Sequence, residues 1–154
     1  RILADETDVL DLAEAQAAVT HNHPDAIAGA QAVALTVLLA RHGEPMEAIC
    51  DRIVAQFGYE LTPEIALKPG IFDVSAAGTV PSALAAVFQS RNWEDAVRTA
   101  VALGGDADTL GCIAGAVAEA VHGIPPEIAE TARAYLTADL AEVLARFETL
   151  LRGD

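Results

Sequence analysis

An uncharged run from Ala26 to Ala40 limits what this chain can fold into. It is shorter than the ~20 apolar residues that a helix needs to span a bilayer, so it predicts a buried helix and no membrane anchor. Aromatic residues make up only 5% of the chain, and alanine is abundant. That composition favours closely packed helices over a sheet. We therefore predict an all-α fold whose central helix runs from Asp25 to Arg41.

Apolar periodicity, prolines and glycines divide the rest of the chain into further helices. The predicted ranges are 8–19, 45–57, 81–90, 93–103, 125–135 and 139–151, with another helix that follows an acidic turn and ends at Gly123. The segment from Tyr59 to Val80 lacks this periodicity. It predicts a long, often functional loop, or alternatively a surface excursion with one helical turn at residues 62–64. No linker or repeat interrupts the pattern, so we expect a single domain over residues 1–154.

The net charge of −14 and the pI near 4.4 exclude most nucleic-acid backbone binders, which need clustered Lys and Arg. This balance suits a soluble, cytoplasmic protein and is compatible with cation binding. Cys50 and Cys112 lie in apolar helical segments, which gives no sign of a disulfide framework. No secretory signal is visible.

The acidic turn, residues 103–112, carries two glycines followed by Asp106, Asp108 and Thr109. Two neighbouring carboxylates and a hydroxyl are hard oxygen donors, which suit Mg²⁺, Mn²⁺ or Ca²⁺ better than zinc. The competing interpretation is helix capping, since Asp and Thr are both favoured N-caps. Capping needs only one of the three residues. Val117 occupies the place of the bidentate Glu of an EF-hand, so that type of calcium site is excluded.

Two other sequence features give weaker indications of function or packing. His21 and His23 flank Asn22 in the turn before the central helix, where turn stabilisation or substrate contact is a better interpretation than zinc binding. Gly111 and Gly115 are four residues apart, and their spacing predicts close approach of another helix, for which residues 28–32 are the candidate.

Three ordered parts of the chain resemble the ADP-ribosylglycohydrolase family, which includes the dinitrogenase reductase-activating glycohydrolase. They are Thr20–Pro24 with Ala28–Ala30, Phe72–Ser75 with Gly78–Pro81, and Gly104–Thr109 followed by Ile113–Ala116. The resemblance extends over residues 8–147 with plausible spacing.

This resemblance implies an all-α fold, two Mg²⁺ or Mn²⁺ ions, and hydrolysis of the bond between ADP-ribose and a protein side chain or small acceptor. It further implies that Asp106, Asp108 and Thr109 are metal ligands and that His21 contacts ADP-ribose. The loop from Ser75 to Val80 would form part of the cleft wall. The resemblance assigns no catalytic residue.

The family also has an N-terminal half that supplies further metal ligands and a Gly-Asn-Gly segment, and neither is present here. We therefore expect this chain to be a C-terminal portion with little activity by itself. Its expected partners are an ADP-ribosylated protein or small ADP-ribose conjugate, and either the missing half or a second copy of the chain. The alternative function is a non-enzymatic helical binding or structural module related to the family.

Overall fold

A computed structural model describes residues 5–152. Within that range every regular element is a helix, which confirms the predicted all-α fold. The helices are α1 (Glu6–Ala18), α2 (Pro24–Arg41), α3 (Met46–Phe57), α4 (Pro63–Ala66), α5 (Ala76–Phe88), α6 (Trp93–Ala102), α7 (Ala107–His122), α8 (Pro126–Ala134) and α9 (Ala138–Arg152). The described chain divides at Gly123 into a larger compact unit with α1–α7 and a smaller one with α8 and α9. The single domain remains a prediction.

Local chemistry explains where several helices begin and end. The Asp5 carboxylate accepts a hydrogen bond from the Thr7 N–H at 2.7 Å and so caps α1. Pro24 occupies the first turn of α2, where its missing N–H has no helical partner to lose. α3 ends at Gly58, which has a φ of 69°. Asn92 caps α6 through the Asp95 N–H. These boundaries lie within three residues of the predicted ones.

The predicted central helix is not the most enclosed one. α2 buries only part of its surface, including Ala32 and Leu35, whereas all five residues from 83 to 87 of α5 have no solvent exposure. Because consecutive helical residues point in all directions, α5 must be surrounded on every side along this stretch. Three of the five are alanines, which let the neighbouring helices come close.

The start of α5 also differs from the prediction. The helix begins at Ala76, so Pro81 lies inside it. Ser75 is the N-cap and accepts a hydrogen bond from the Gly78 N–H at 3.1 Å. This cap starts the helix five residues before the proline. The remaining part of the predicted loop contains α4, in agreement with the alternative of one helical turn near residues 62–64.

The glycine face of α7 has a different partner from the predicted one. A Cβ added at Gly111 would approach the Val101 side chain of α6 at 3.1 Å, and one at Gly115 would approach Trp93 of α6 at 3.5 Å. The Trp93 indole also donates a hydrogen bond to the Gly115 carbonyl at 3.0 Å. α6, and not residues 28–32 of α2, therefore packs against these glycines.

In the smaller unit, Arg133 of α8 forms an ion pair with Glu148 of α9. α9 is amphipathic, and five of its large apolar side chains are exposed: Leu140, Val143, Phe147, Leu150 and Leu151. Through residues 5–152, no helix combines the length and apolarity needed to cross a bilayer.

Candidate functional site

The acidic turn joins α6 to α7 and holds the predicted metal ligands. Gly104 and Gly105 both have positive φ, 76° and 65°, a conformation that other residues adopt only with strain. Asp106 then takes the N-cap position of α7, but its side chain accepts no capping hydrogen bond from the backbone. Asp108 instead accepts from the Thr109 N–H at 3.0 Å. Capping therefore does not account for the Asp106 carboxylate.

The two carboxylates of the turn interact with each other. The pKa of Asp108 is lowered, first by a hydrogen bond with the Asp106 side chain and second by the Thr109 N–H. Asp108 therefore stays ionised beside Asp106, and the two neighbouring residues offer oxygen atoms of the kind that hard cations prefer.

The segment before α5 is pressed against this turn. The Gly70 N–H donates to the Leu103 carbonyl at 2.7 Å. The Ile71 carbonyl lies so close to Gly105 that a Cβ there would come well within 3.0 Å of its oxygen. Glycine at position 105 is thus required by packing as well as by its φ angle. The two contacts fix the acidic turn against residues 70–72.

A cavity of about 410 Å³, here called the Asp106 cavity, opens beside this contact. Asp106 and Asp73 line it together with Tyr59, Lys68 and residues of α5. Asp73 accepts a hydrogen bond from the Ser75 N–H at 2.8 Å. The pKa of Asp73 is lowered, first by its side-chain hydrogen bond with Ser75 and then by this backbone bond. Asp73 therefore remains ionised and adds negative charge to the cavity.

A second cavity of about 600 Å³, here called the His21 cavity, contains His21, Ser75 and Thr109. Thr79 lines both cavities, so the two adjoin. The His21 ring is exposed, and its Nδ1 lies 2.9 Å from the Thr20 hydroxyl oxygen. Elements that are far apart in the sequence, the turn before α2 and the first turns of α5 and α7, meet at this cavity.

The neighbouring histidine has a structural role. The His23 Nδ1 accepts a hydrogen bond from the Asp25 N–H at 3.2 Å and so caps α2. For His23, this finding agrees with turn stabilisation, one of the two roles expected for the histidine pair; the substrate contact of His21 stays a prediction.

The structure thus brings only some of the predicted site residues together. His21 and Thr109 share one cavity, Asp106 faces the adjoining one, and Asp108 lies exposed at the turn outside both. Sequence reasoning did not assign a role to Asp73. The sequence could have indicated this role, because Asp73 and Ser75 have the spacing of a turn residue and an N-cap ahead of a helix.

The donor set fits a hard cation only in part. Asp106, Asp108 and Thr109 offer hard oxygens, the ligands that Mg²⁺ and Mn²⁺ prefer. In the part of the chain that the structure describes, no three His, Cys, Asp or Glu side chains form a group able to hold a metal ion. Three residues cannot fill two six-coordinate ions. Water, substrate or other protein groups would have to supply the remaining ligands.

Comparison with known proteins gives the class of the fold. The sequence model of the ADP-ribosylglycohydrolase family matches residues 2–153. The chain therefore belongs to the ADP-ribosylglycohydrolase family, a family of hydrolases that use divalent metal ions. No curated protein and no solved structure matches the chain.

Proposed function

We propose that this chain takes part in hydrolysing the bond between ADP-ribose and a protein side chain or small acceptor. The reaction would occur in the cleft formed by the His21 and Asp106 cavities. The observation that carries the proposal is that His21, in the turn before α2, and Thr109, in the first turn of α7, line one cavity that adjoins the cavity with the Asp106 carboxylate. At about 600 and 410 Å³, each cavity is in the range of small-molecule sites.

Asp106, Asp108 and Thr109 would hold Mg²⁺ or Mn²⁺ at the acidic turn. A bound divalent ion supplies charge neutralisation near the pyrophosphate and polarises an oxygen at the reacting centre. The chain contributes rigidity, because residues 70–72 fix the turn through the Gly70–Leu103 hydrogen bond and the close contact at Gly105. A rigid turn keeps the carboxylates in place before the ion arrives.

His21 would contact the substrate. Its Nδ1 is engaged with the Thr20 hydroxyl, which leaves Nε2 for a hydrogen bond with a sugar hydroxyl or phosphate. Ser75 and Thr79 add hydroxyl groups to the same cavity. The Asp73 carboxylate, held ionised in the adjoining cavity, would repel a pyrophosphate that lacked a metal ion.

The incomplete ligand set predicts that the 154-residue chain binds metal weakly and has little activity alone. We expect activity when an N-terminal half of the kind that the family resemblance implies is joined to it, and we call the joined protein the longer form. The experiment measures Mg²⁺- or Mn²⁺-dependent release of ADP-ribose from an ADP-ribosylated protein and from a small ADP-ribose conjugate, with both forms of the protein.

Asp106→Asn and Asp108→Asn should each abolish metal-dependent release in the longer form. Glu119→Gln is the matched control, because Glu119 is an exposed acid on the same helix, away from the turn. Unchanged release by both aspartate variants, or no release by the longer protein, would contradict the proposal.

A non-enzymatic helical module is the second candidate. It is favoured by the lack, among residues 5–152, of a group of three acidic, His or Cys side chains that could hold a metal ion. A module of this type should show no shift in thermal unfolding with Mg²⁺ or Mn²⁺, even in the longer form. An enzyme with a completed site should be stabilised by the bound ions.

A further inference from the structure

Asp73 lies at the boundary between the two cavities of the candidate site. Asp73 itself lines the Asp106 cavity, whereas the next two residues, Val74 and Ser75, line the His21 cavity. Thr79, at the end of the first turn of α5, lines both. The first turn of α5 therefore forms the wall between the cavities, and Asp73 lies at the start of that wall.

Two contacts fix the Asp73 side chain in this position. Its Oδ1 accepts a hydrogen bond from the Ser75 N–H at 2.8 Å. The side chain also lies over Gly78, where an added Cβ would be 2.8 Å from the Asp73 Cβ and closer still to the carboxylate. Because Gly78 has no side chain, the carboxylate can pack directly against the backbone of α5. Its position is therefore set before a substrate arrives, as electrostatic stabilisation of a transition state requires.

The other acidic residues that line the two cavities are less suited to act on a sugar. Asp106 belongs to the acidic turn, where the proposed function assigns it to the metal ion. The Asp25 carboxylate lies 3.7 Å from the His23 Nδ1 at the start of α2. Among the residues that the structure describes, Glu60 has no hydrogen bond or ion pair partner, so nothing fixes its carboxylate. Asp73 is the acid that is both held in place and separate from the acidic turn.

The proposed hydrolysis creates a need for a fixed negative charge. When the bond between C1 of the ribose and the acceptor breaks, its electron pair leaves with the acceptor atom, and positive charge develops on C1 and the ring oxygen. A water oxygen then forms the new bond to C1, and one proton of that water ends on the acceptor. In other glycoside hydrolyses a carboxylate beside the sugar stabilises this positive charge.

We propose that Asp73 is a catalytic residue of this reaction, whose carboxylate contacts the ribose and stabilises the positive charge that develops at C1. The inference rests on the proposed function. The ribose lies in the His21 cavity, where Ser75, Thr79 and Thr109 offer hydroxyl groups, with its C1 at the boundary to the Asp106 cavity. Asp73 forms no covalent bond and transfers no proton.

The test compares Asp73→Asn with the wild type in the longer form, by the release of ADP-ribose from a small ADP-ribose conjugate. Asparagine has nearly the same shape, and its side-chain oxygen can still accept from the Ser75 N–H, so the variant removes only the charge. We expect kcat to fall about 100-fold and KM to change less than about threefold, because the charge acts on the transition state and not on bound substrate. The Mg²⁺-dependent shift in Tm should be the same in both proteins, since Asp73 does not hold the ion.

Glu64→Gln is the matched control. Glu64 is an exposed acid in the first turn of α4 and lies outside both cavities. The control removes the same charge from the protein as Asp73→Asn does, and it should leave both kcat and KM unchanged.

The possible results separate this inference from the proposed function. An active longer form in which Asp73→Asn keeps the wild-type kcat overturns the catalytic role and leaves the proposed function standing. A rise in KM alone also overturns it, because Asp73 would then act only on substrate binding. Loss of the Mg²⁺-dependent shift, or an equal loss of kcat in Glu64→Gln, has the same meaning. If the wild-type longer form releases no ADP-ribose, the catalytic role fails together with the proposed function.

Discussion

Replacing Gly105 by alanine tests whether residues 70–72 position the acidic turn. Gly105 has a φ of 65°, and the Ile71 carbonyl oxygen and the Phe72 Cα occupy the space that a Cβ would need. The Phe72 Cα would be 3.2 Å away and the carbonyl oxygen much closer. Both obstacles are backbone atoms, so a rotamer change cannot remove the clash. The loop, the turn or both must move.

Gly104 makes it possible to separate two contributions to the loss of stability, the left-handed backbone conformation and the steric clash. Gly104 has a φ of 76°, but a Cβ there would meet nothing within 4 Å. Gly104→Ala should therefore cost only the left-handed conformation, about 1–2 kcal/mol. Gly105→Ala bears the same conformational cost and adds a backbone clash comparable to overpacking, about 1–3 kcal/mol. We expect a total of about 2–5 kcal/mol for Gly105→Ala.

Thermal unfolding and urea titration measure this difference. For a chain of this length, 1 kcal/mol corresponds to a change in Tm of about 2–4 °C, so the two variants should differ by several degrees. In the proposed longer form, Gly105→Ala should also weaken the expected Mg²⁺ or Mn²⁺ response more than Gly104→Ala does, because it would displace the Asp106 carboxylate. Equal losses of stability for the two variants would refute the reasoning, since the contact with Ile71 would then have no energetic effect.

Three further predictions concern the same region. Gly78→Ala should destabilise the protein because its Cβ would collide with the Asp73 side chain, including the Asp73 Cβ at 2.8 Å. In an Asp73→Gly background, which removes that Cβ as well, the same change should cost little, and a double-mutant cycle by urea unfolding would show it. The lowered pKa of Asp73 means that its contribution to stability is present above about pH 4 and is lost as the pH falls through its folded-state pKa. The Tm difference between wild type and Asp73→Asn should accordingly shrink between pH 5 and about pH 2.5, and a difference independent of pH would contradict this. Within residues 5–152 the buried Tyr59 hydroxyl has no hydrogen-bond partner, so Tyr59→Phe should be neutral or stabilising by up to about 1 kcal/mol, and a clear loss of Tm would show that the hydroxyl has a partner.

The sequence predicted helix positions well where single residues decide them. Pro24, Gly58 and Asn92 act through their own backbone or side-chain chemistry, and each lies at a helix end in the structure. Pro81 misled the prediction, because a proline tolerated inside a helix looks the same in sequence as one that opens it. The Ser75 cap, which decides the outcome, depends on a hydrogen bond to Gly78.

The buried helix could have been found from the sequence. Residues 74–90 contain no Asp, Glu, Lys or Arg, and this uncharged segment is longer than the one from Ala26 to Ala40. The glycines, serines and prolines in it suggested a loop, whereas their small volume serves close helix packing. Composition therefore predicted closely packed helices correctly, but we took α2 for the most buried helix instead of α5.

The sequence predicted individual residues of the candidate site, but it did not predict which of them lie together in space. Glycines, acids and a threonine next to one another define the acidic turn, and their spacing is local. The meeting of His21 with Thr109, and of Asp106 with Asp73, depends on how α2, α5 and α7 pack, which a sequence without an alignment does not contain. Asp108 shows the limit clearly, because it lies two residues from Asp106 and yet outside both cavities. The metal-ligand and substrate roles, and the cytoplasmic location, remain predictions.

The enclosure of α5 on all sides has a consequence for how this protein can vary. At Ala83, Ala85 and Ala86 even one added methyl group has nowhere to go without shifting a neighbouring helix. A saturation mutagenesis screen for soluble expression should therefore find its lowest tolerance there, in residues that touch no ligand. Changes in the proposed substrate preference would have to come from exposed segments beside the two cavities, such as residues 20–23 and 71–75. The buried part of α5 should tolerate very few substitutions.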